Sequence, residues 1–271
     1  MIAEPAPEPL WALRRKPHTS ISAVKEYVMC PRRYFFHYVE QTQPAFKAAA
    51  AAFGSAWHSA IQYWLTREGV EQDELETYFR DDLSARLQES RVPVLFDDES
   101  ENEGRLIDTG LKMLRVFFAR VCRPEVVLGV EVPFSMELAH PTTGEVLGVP
   151  LIGAVDAIVA EEGQKYIWEL KTAKRRWSAT DQVELDLQVS VYARLAARHM
   201  GHADAPVRLV ITTKTVHPEV QIESPVRYEA DEREVLDVIF GVHTAVGAGV
   251  DYRNRVAWQC RTCPYAEPCR P

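Results

Sequence analysis

Apolar positions in the first 120 residues recur at intervals of three and four, which is the spacing of helices with one buried face. Ser20 or Ser22 can cap a helix that ends near Met29. Pro31 suits the first turn of the next helix, because its missing N–H is not needed there. Three longer helices are predicted downstream, over residues 46–65, 73–89 and 103–121.

From residue 125 the chain changes to short runs rich in Val, Ile and aromatic residues, with turn sequences at Thr143–Gly144 and Glu162–Gly163. This order predicts a mixed α/β fold, with a central mixed β-sheet flanked by helices and a helical lobe ahead of it. The predicted elements are strands at 126–134, 147–160 and 166–171, a helix at 181–200, a strand at 207–213 and a helix at 231–246.

The 271 residues are 46% hydrophobic and 26% charged, so the chain can bury a large core and is not predicted to be disordered. We expect four regions. They are a flexible tail over 1–18, a helical region over 19–124, an α/β core over 125–250 and a cysteine-bearing end over 251–271.

Charge and hydropathy limit the partners of the chain. No apolar stretch reaches the roughly 18–20 residues that cross a bilayer, and the acidic, proline-rich start lacks the features of a signal peptide. We therefore expect a cytoplasmic protein with no membrane partner. The net charge is −8, from 31 basic and 39 acidic residues, so any nucleic-acid site must be a local basic patch.

Two carboxylates are predicted to face each other on one hairpin. A two-residue turn at Glu162–Gly163 places Asp156 directly across from Glu169, on the same face of the sheet. Lys171 returns to that face two residues later. Carboxylates so close repel each other unless a cation lies between them, and oxygen ligands suit Mg²⁺ or Mn²⁺. The alternative is a solvated surface hairpin, and a one-residue register slip would separate the two acids.

The five cysteines are unevenly distributed. Cys260, Cys263 and Cys269 lie within the last twelve residues, while Cys30 precedes Pro31 near the start. In a reducing cytoplasm this grouping indicates a metal centre that joins the two ends of the chain. Four thiolates fit either a [4Fe–4S] cluster or tetrahedral Zn²⁺. Cys122 is predicted to be a buried small hydrophobe.

Several motifs occur in one order along the chain. Asp156 is followed by Glu169-Leu170-Lys171, Gly54-x-x-x-His58 lies upstream, and Gln188-x-x-x-Tyr192 lies downstream. Together they resemble the PD-(D/E)xK nuclease superfamily over roughly residues 20–269. With the four cysteines, the arrangement is similar to the RecB-like branch that includes Cas4.

The resemblance implies a restriction-endonuclease-like core with a C-terminal iron–sulfur region. It also implies a Mg²⁺- or Mn²⁺-dependent deoxyribonuclease in which His58, Asp156, Glu169 and the Leu170 carbonyl hold the metal and Lys171 assists. Members of this branch act as exonucleases on single-stranded DNA ends in repair, recombination or CRISPR adaptation, where protein partners take part. The resemblance favours a structural [4Fe–4S] cluster over zinc in the cysteine site.

Further residues are candidates for DNA contact. Gln188 and Tyr192 share a helix face, on which they either pack against the sheet or contact DNA or the surroundings of the lysine. Lys174, Arg175 and Arg176 directly follow the Glu-x-Lys strand, where they can grip a phosphate backbone, and Trp177 can stack on a base.

Each of these assignments has a simpler alternative. His58 can be a core histidine and 174–176 a solvated charge run. For the whole chain, the alternative function is a non-catalytic DNA-binding or scaffold subunit of a nuclease complex. Acidity favours that alternative slightly, whereas the intact set of carboxylates and lysine argues against it.

Overall fold

A computed structural model describes residues 8–97, 99–178, 183, 186–255 and 258–270, without the side chains of 258 and 259. Its centre is a five-stranded mixed sheet with the order β3-β4-β5-β6-β7, in which only β5 and β6 run parallel. The strands are β3 (Val126–Met136), β4 (Leu151–Glu161), β5 (Gln164–Ala173), β6 (Val207–Thr213) and β7 (Val220–Glu223).

Helices cover both faces of this sheet. On one face lie α4 (Ala49–Thr66), α5 (Gln72–Gln88) and α6 (Glu103–Arg120), whose buried side chains pack on Ala157, Trp168 and Val210. On the other face lie α2 (Ile21–Met29), a helix over 187–199 and α9 (Glu229–Gly247). The predicted mixed α/β fold with a helix-flanked sheet is therefore confirmed. The division into four regions stays a prediction, and the sheet shares one core with the helical region.

Short elements join these layers. The helix over 187–199 consists of α7 (Leu187–Ser190), a π-helical stretch (Val191–Ala196) and α8 (Ala197–His199). The other short elements are α1 (Leu10–Leu13), α3 (Pro31–Tyr34) with a π-helical continuation (Phe35–Val39), the parallel pair β1 (Lys47–Ala48) and β2 (Val94–Leu95), a 3₁₀ turn (Trp258–Thr262) and α10 (Ala266–Cys269).

The helix predictions are confirmed apart from their ends. Ser20 caps α2, with its hydroxyl accepting from the Ala23 N–H at 3.2 Å. The helix predicted from residue 46 begins at Ala49, because residues 47 and 48 form β1. The helix predicted from residue 181 begins at Leu187, where Asp186 caps it. Of the predicted start, residues 181, 182, 184 and 185 lie outside the described residues.

One strand prediction needs correction, and one strand was not predicted. The strand predicted over 147–160 begins only at Leu151, because Gly148 has φ +78° and Pro150 has no N–H to give to a ladder. Strand β7 was missed, since it has only four residues and follows a turn region. The strand predicted over 207–213 has the observed bounds.

The tail and Cys122 differ from expectation. In the part of the predicted tail that the structure describes, Leu13 is buried and lies on a short helix, and Thr19 then bridges to Leu151. Cys122 is exposed, because α6 ends at Arg120, so its predicted burial is wrong.

Among the described residues, no helix has both the length and the apolarity to cross a bilayer.

Candidate functional site

The β4–β5 hairpin has the predicted register. Glu162 and Gly163 form the turn with φ values of +49° and +76°, and the ladder runs from the Glu161/Gln164 pair to the Ala157/Trp168 pair. The next pair in this register is Asp156 with Glu169. The ladder ends there, and the Asp156 carboxylate (Oδ2) instead accepts a hydrogen bond from the backbone N–H of Leu170 at 2.7 Å.

The alternation of side chains between the two faces of the sheet is interrupted in β4 at Asp156. Val155 packs with α2 and α9, whereas Ala157, two residues later, packs with α4. On the other side of β4, Glu131 of β3 lies between the Val130/Ala157 and Val132/Val155 pairs and has φ +47°. Because non-glycine residues rarely adopt this conformation, the backbone is strained next to Asp156.

Helix α4 brings His58 to this position. Its imidazole Nδ1 lies 3.1 Å from the other oxygen of Asp156, Oδ1. Burial alone would lower the pKa of His58, but the hydrogen bond and charge of Asp156 outweigh it and raise the pKa above its usual value. The structure therefore brings together two of the predicted site residues, His58 and Asp156.

Glu169 and Lys171 form a buried ion pair on β5. Glu169 is 1% exposed, and its Oε1 accepts from the Lys171 ammonium. Among the described residues, Glu169 Oε2 has no hydrogen-bond partner. Burial raises the pKa of Glu169 to about 8, and the charge of Asp156 adds to the rise. Burial would lower the pKa of Lys171, but the charge of Glu169 outweighs it, so the pKa is raised.

These residues have the chemistry of a divalent-cation site. Two carboxylates converge in a buried position, one carboxylate oxygen is unpartnered, and an imidazole lies beside them. A cation would offset the repulsion that raises the pKa of Glu169. Within the part of the chain that the structure describes, no three or more His, Cys, Asp or Glu side chains are placed so that together they could hold a metal ion.

Gln188 and Tyr192 lie next to the lysine. Gln188 Oε1 accepts from Lys171 Nζ at 2.9 Å, and Gln188 Nε2 donates to the Tyr192 hydroxyl at 2.9 Å. The Tyr192 hydroxyl donates to the Ala154 carbonyl at 2.8 Å, and Tyr192 is 4% exposed. Gln188 thus contacts the lysine directly, whereas Tyr192 packs against the sheet, with its ring edge-on to Phe134.

Two of the three predicted basic residues are paired with acids. Lys174 Nζ lies 2.7 Å from an Asp97 oxygen, and Arg176 lies 3.0 Å from a Glu219 oxygen. Trp177 is half-buried, with its backbone bonded to the Gln221 amide. All four groups of these pairs are exposed, so the pairs are weak and can exchange for phosphate.

Three further charged residues of this region were not identified as candidates from the sequence. They are Asp186, Lys25 and Lys214. Asp186 could have been found as a helix cap two residues before Gln188. Lys214 follows β6 and lies with its ammonium 5.2 Å from the centroid of the Phe53 ring. Burial lowers the pKa of Lys214. Only the three-dimensional structure brings it to the end of β5, where its N–H donates to the Ala173 carbonyl at 2.6 Å.

All four predicted cluster cysteines line one cavity. Aromatic and cationic side chains complete its wall, and the Phe36 and Tyr265 rings stack with centroids 5.5 Å apart. Burial raises the pKa of the Cys263 thiol. The lining residues are Cys30, Arg33, Phe36, Arg253, Cys260, Cys263, Tyr265, Ala266, Cys269 and Arg270.

Comparisons with known proteins agree with this geometry. A profile of the PD-(D/E)XK nuclease superfamily matches residues 18–270. A search of curated proteins finds no match. Among solved structures, the fold is similar to that of a protein from Eubacterium rectale named "Putative exonuclease". The TM-score is 0.52 and the sequence identity 17%, and the match covers 90% of this chain and 87% of the other.

At that identity the structural likeness shows the fold alone. The profile match is stronger, because it covers nearly the whole chain, from residue 18 to residue 270. The chain therefore belongs to the PD-(D/E)XK nuclease superfamily.

Proposed function

We propose that this protein is a deoxyribonuclease that hydrolyses phosphodiester bonds with Mg²⁺ or Mn²⁺. The observation that carries the proposal is the unpartnered, buried Glu169 Oε2 beside the Asp156 carboxylate, with the Lys171 ammonium on the same centre. A buried carboxylate oxygen without a hydrogen-bond partner is costly, so the site gains free energy when a cation binds that oxygen.

In this proposal Asp156 and Glu169 hold the cation from two strands, and the His58 imidazole and Leu170 carbonyl complete the ligand set. When bound, the cation activates a water and neutralises charge on the phosphate. The Lys171 ammonium is held by Gln188 at 2.9 Å. From there it orients the attacking water or stabilises the negative charge that grows on the phosphate oxygens.

We further propose that the substrate is DNA with single-stranded ends and that the reaction is exonucleolytic. Arg175, Lys174 and Arg176 lie just beyond β5 and are suited to hold a phosphate backbone. Lys214 is available at the same end of the sheet. The structurally similar Eubacterium rectale protein carries the name "Putative exonuclease", and the proposal assigns this chain to the same reaction class.

We propose that the cysteine cavity holds a structural [4Fe–4S] cluster, with Zn²⁺ as the alternative. We also propose that the chain belongs to the RecB-like branch that includes Cas4. Four cysteines line one cavity, as either metal centre requires. Arg33, Arg253 and Arg270 also line it and would offset the negative charge of a thiolate-bound cluster. Action in repair, recombination or CRISPR adaptation, with protein partners, belongs to the same proposal.

Degradation of single-stranded DNA labelled at either end tests the nuclease proposal. We expect Mn²⁺- or Mg²⁺-dependent degradation by the wild-type protein. Asp156→Asn and Lys171→Met should each reduce its rate at least about a hundredfold. Lys165→Met is the matched control, because Lys165 is an exposed lysine at the other end of β5 and its loss should leave the rate unchanged.

Undiminished degradation by Asp156→Asn and Lys171→Met would overturn the assigned centre. If the wild-type protein binds the DNA but does not cut it with either metal, the scaffold alternative replaces the nuclease proposal. Fragments from a circular single strand would replace exonuclease by endonuclease action.

A further inference from the structure

Asp186 organises the start of the helix that carries Gln188. Its Oδ1 accepts from the N–H of Gln188 at 2.8 Å and from the N–H of Val189 at 3.1 Å. This is the geometry of a helix N-cap, which fixes both the position and the direction of the first turn. Gln188 belongs to that turn, so the cap places its side chain as well as its backbone.

The same carboxylate is tied to a second helix. Asp186 Oδ2 accepts from Lys25 Nζ of α2 at 2.9 Å, and the Asp186 side chain is only 8% exposed. Burial would raise the pKa of Asp186, but Lys25 outweighs it, so the pKa is lowered and the group stays charged. The Lys25 side chain is 40% exposed, so the pair is buried on its carboxylate side and joins the start of this helix to α2.

From Gln188 the contacts continue to the reaction centre. The amide oxygen accepts from Lys171, and the amide nitrogen donates to the Tyr192 hydroxyl, which is itself bonded to the Ala154 carbonyl of β4. The amide is therefore fixed at both ends and cannot flip without losing a hydrogen bond. Lys171 has one carboxylate partner, Glu169, and one neutral partner, Gln188, which sets the direction of its ammonium.

We propose that Asp186 is a positioning residue for Lys171, acting through Gln188. In the same proposal, the ion pair with Lys25 fixes the position of Asp186 relative to α2. The inference rests on the proposed nuclease function. Helix α2 ends at Met29, directly before Cys30, so the backbone of one helix carries both Lys25 and the first cysteine of the cavity. Neither Asp186 nor Lys25 contacts the reacting atoms in this proposal.

Two variants separate positioning from folding. Asp186→Ala removes both the cap and the ion pair, whereas Lys25→Met removes the ion pair alone. Asn102→Ala is the matched control, since Asn102 caps α6 by accepting from the Arg105 N–H at 3.0 Å, far along the chain from the reaction centre. All three should lower the melting temperature, because each loses a helix cap or an ion pair.

Only the variants of the Asp186 pair should affect the chemical step. We expect Asp186→Ala to lower kcat about tenfold to a hundredfold, which is the effect of a small displacement of a catalytic group. KM should not change, because the bound phosphates still meet the same basic residues. Lys25→Met should lower kcat less, and Asn102→Ala should leave it unchanged.

A double variant provides the decisive readout. If Asp186 acts through Gln188, Asp186→Ala combined with Gln188→Ala lowers kcat no further than the more damaging single variant. Additive losses, or a wild-type kcat in Asp186→Ala, would overturn the inference. Failure of this inference alone leaves an active wild-type protein and an inactive Lys171→Met variant. If the proposed function fails, the wild-type protein does not cut DNA, or Lys171→Met cuts it as fast as the wild type.

Discussion

The two carboxylates of the proposed reaction centre lie on adjacent strands of one sheet, whereas the four cysteines lie on a helix start and on short elements near the end of the chain. Asp156 and Glu169 are held in place by ladder pairs from residue 157 to residue 168. Around the cysteine cavity, single hydrogen bonds join the two ends, such as Tyr27 Oη to the Val250 carbonyl at 2.7 Å. Another joins the Ala45 N–H to the Pro264 carbonyl at 3.0 Å.

This difference separates two ways of building a site. The register of the sheet brings the two carboxylates together, and burial together with the charge of Asp156 raises the pKa of Glu169. The cysteine region has few backbone ladders of its own, so a bound cluster would supply much of its order. We therefore expect the two sites to respond differently to loss of their metal.

The largest expected effect is loss of the proposed cluster in Cys263→Ser. The protein should lose its bound iron and its visible absorption, and residues 251–270 should become sensitive to protease. Metal binding and folding are coupled in such regions, so the melting temperature should also fall. Iron analysis, absorption spectra and limited proteolysis after anaerobic purification measure these effects.

Cys122→Ser is the matched control, because Cys122 is exposed and does not line the cavity. It should keep its iron and its spectrum. A colourless wild-type protein with one bound zinc would replace the cluster by a tetrahedral site. Full iron content in Cys263→Ser would remove this cysteine from the ligand set.

A smaller effect is expected from Gly153→Ala, which disturbs the packing of the sheet and not the cysteine region. A Cβ at Gly153 would lie 2.5 Å from Cζ of the buried Phe134 ring. That ring packs edge-on against Tyr192, with centroids 6.0 Å apart, so its displacement reaches the Gln188–Lys171 contact. We expect a loss of about 1–3 kcal/mol in the free energy of unfolding, with a lower kcat and unchanged iron content.

Gly241→Ala is the control for this variant. Gly241 lies in α9, and no atom comes within 4 Å of a Cβ built there, so the change should stabilise the helix by up to about 1 kcal/mol. Phe134→Leu should partly rescue Gly153→Ala by removing the clash. No loss of stability in Gly153→Ala would show that the ring moves without cost. Chemical denaturation measures all three variants.

Much of the reaction centre was predictable because it depends on local rules. The Glu162–Gly163 turn fixes the register, and the register fixes which residues face each other. The contact of His58 with Asp156 had no such local basis, since residues 58 and 156 are far apart in sequence; only the motif resemblance joined them. The burial of Glu169 and its unpartnered oxygen depend on packing from both helical layers.

The errors have equally specific causes. Cys122 was expected to be buried because its neighbours are apolar, but α6 ends at Arg120. The pairing of β1 with β2 depends on only two residues in each strand, which is too short for a periodic signal. The acidic partners of Lys174 and Arg176 come from distant segments, so sequence spacing alone could not find them.

The smallest expected effect is a gain of stability at the hairpin turn. Glu162 has φ +49° and Gly163 φ +76°, as a type I′ turn requires at both positions, and Asn-Gly is the preferred sequence for that turn. Glu162→Asn should therefore raise the free energy of unfolding by about 0.5–1 kcal/mol. Gly163→Ala should lower it by about 1–2 kcal/mol, because alanine is strained at positive φ. Since Asp156 lies about 20 Å along β4 from the turn, the nuclease rate should not change in Glu162→Asn. A loss of stability in that variant would contradict the turn geometry that sets the register of Asp156 and Glu169.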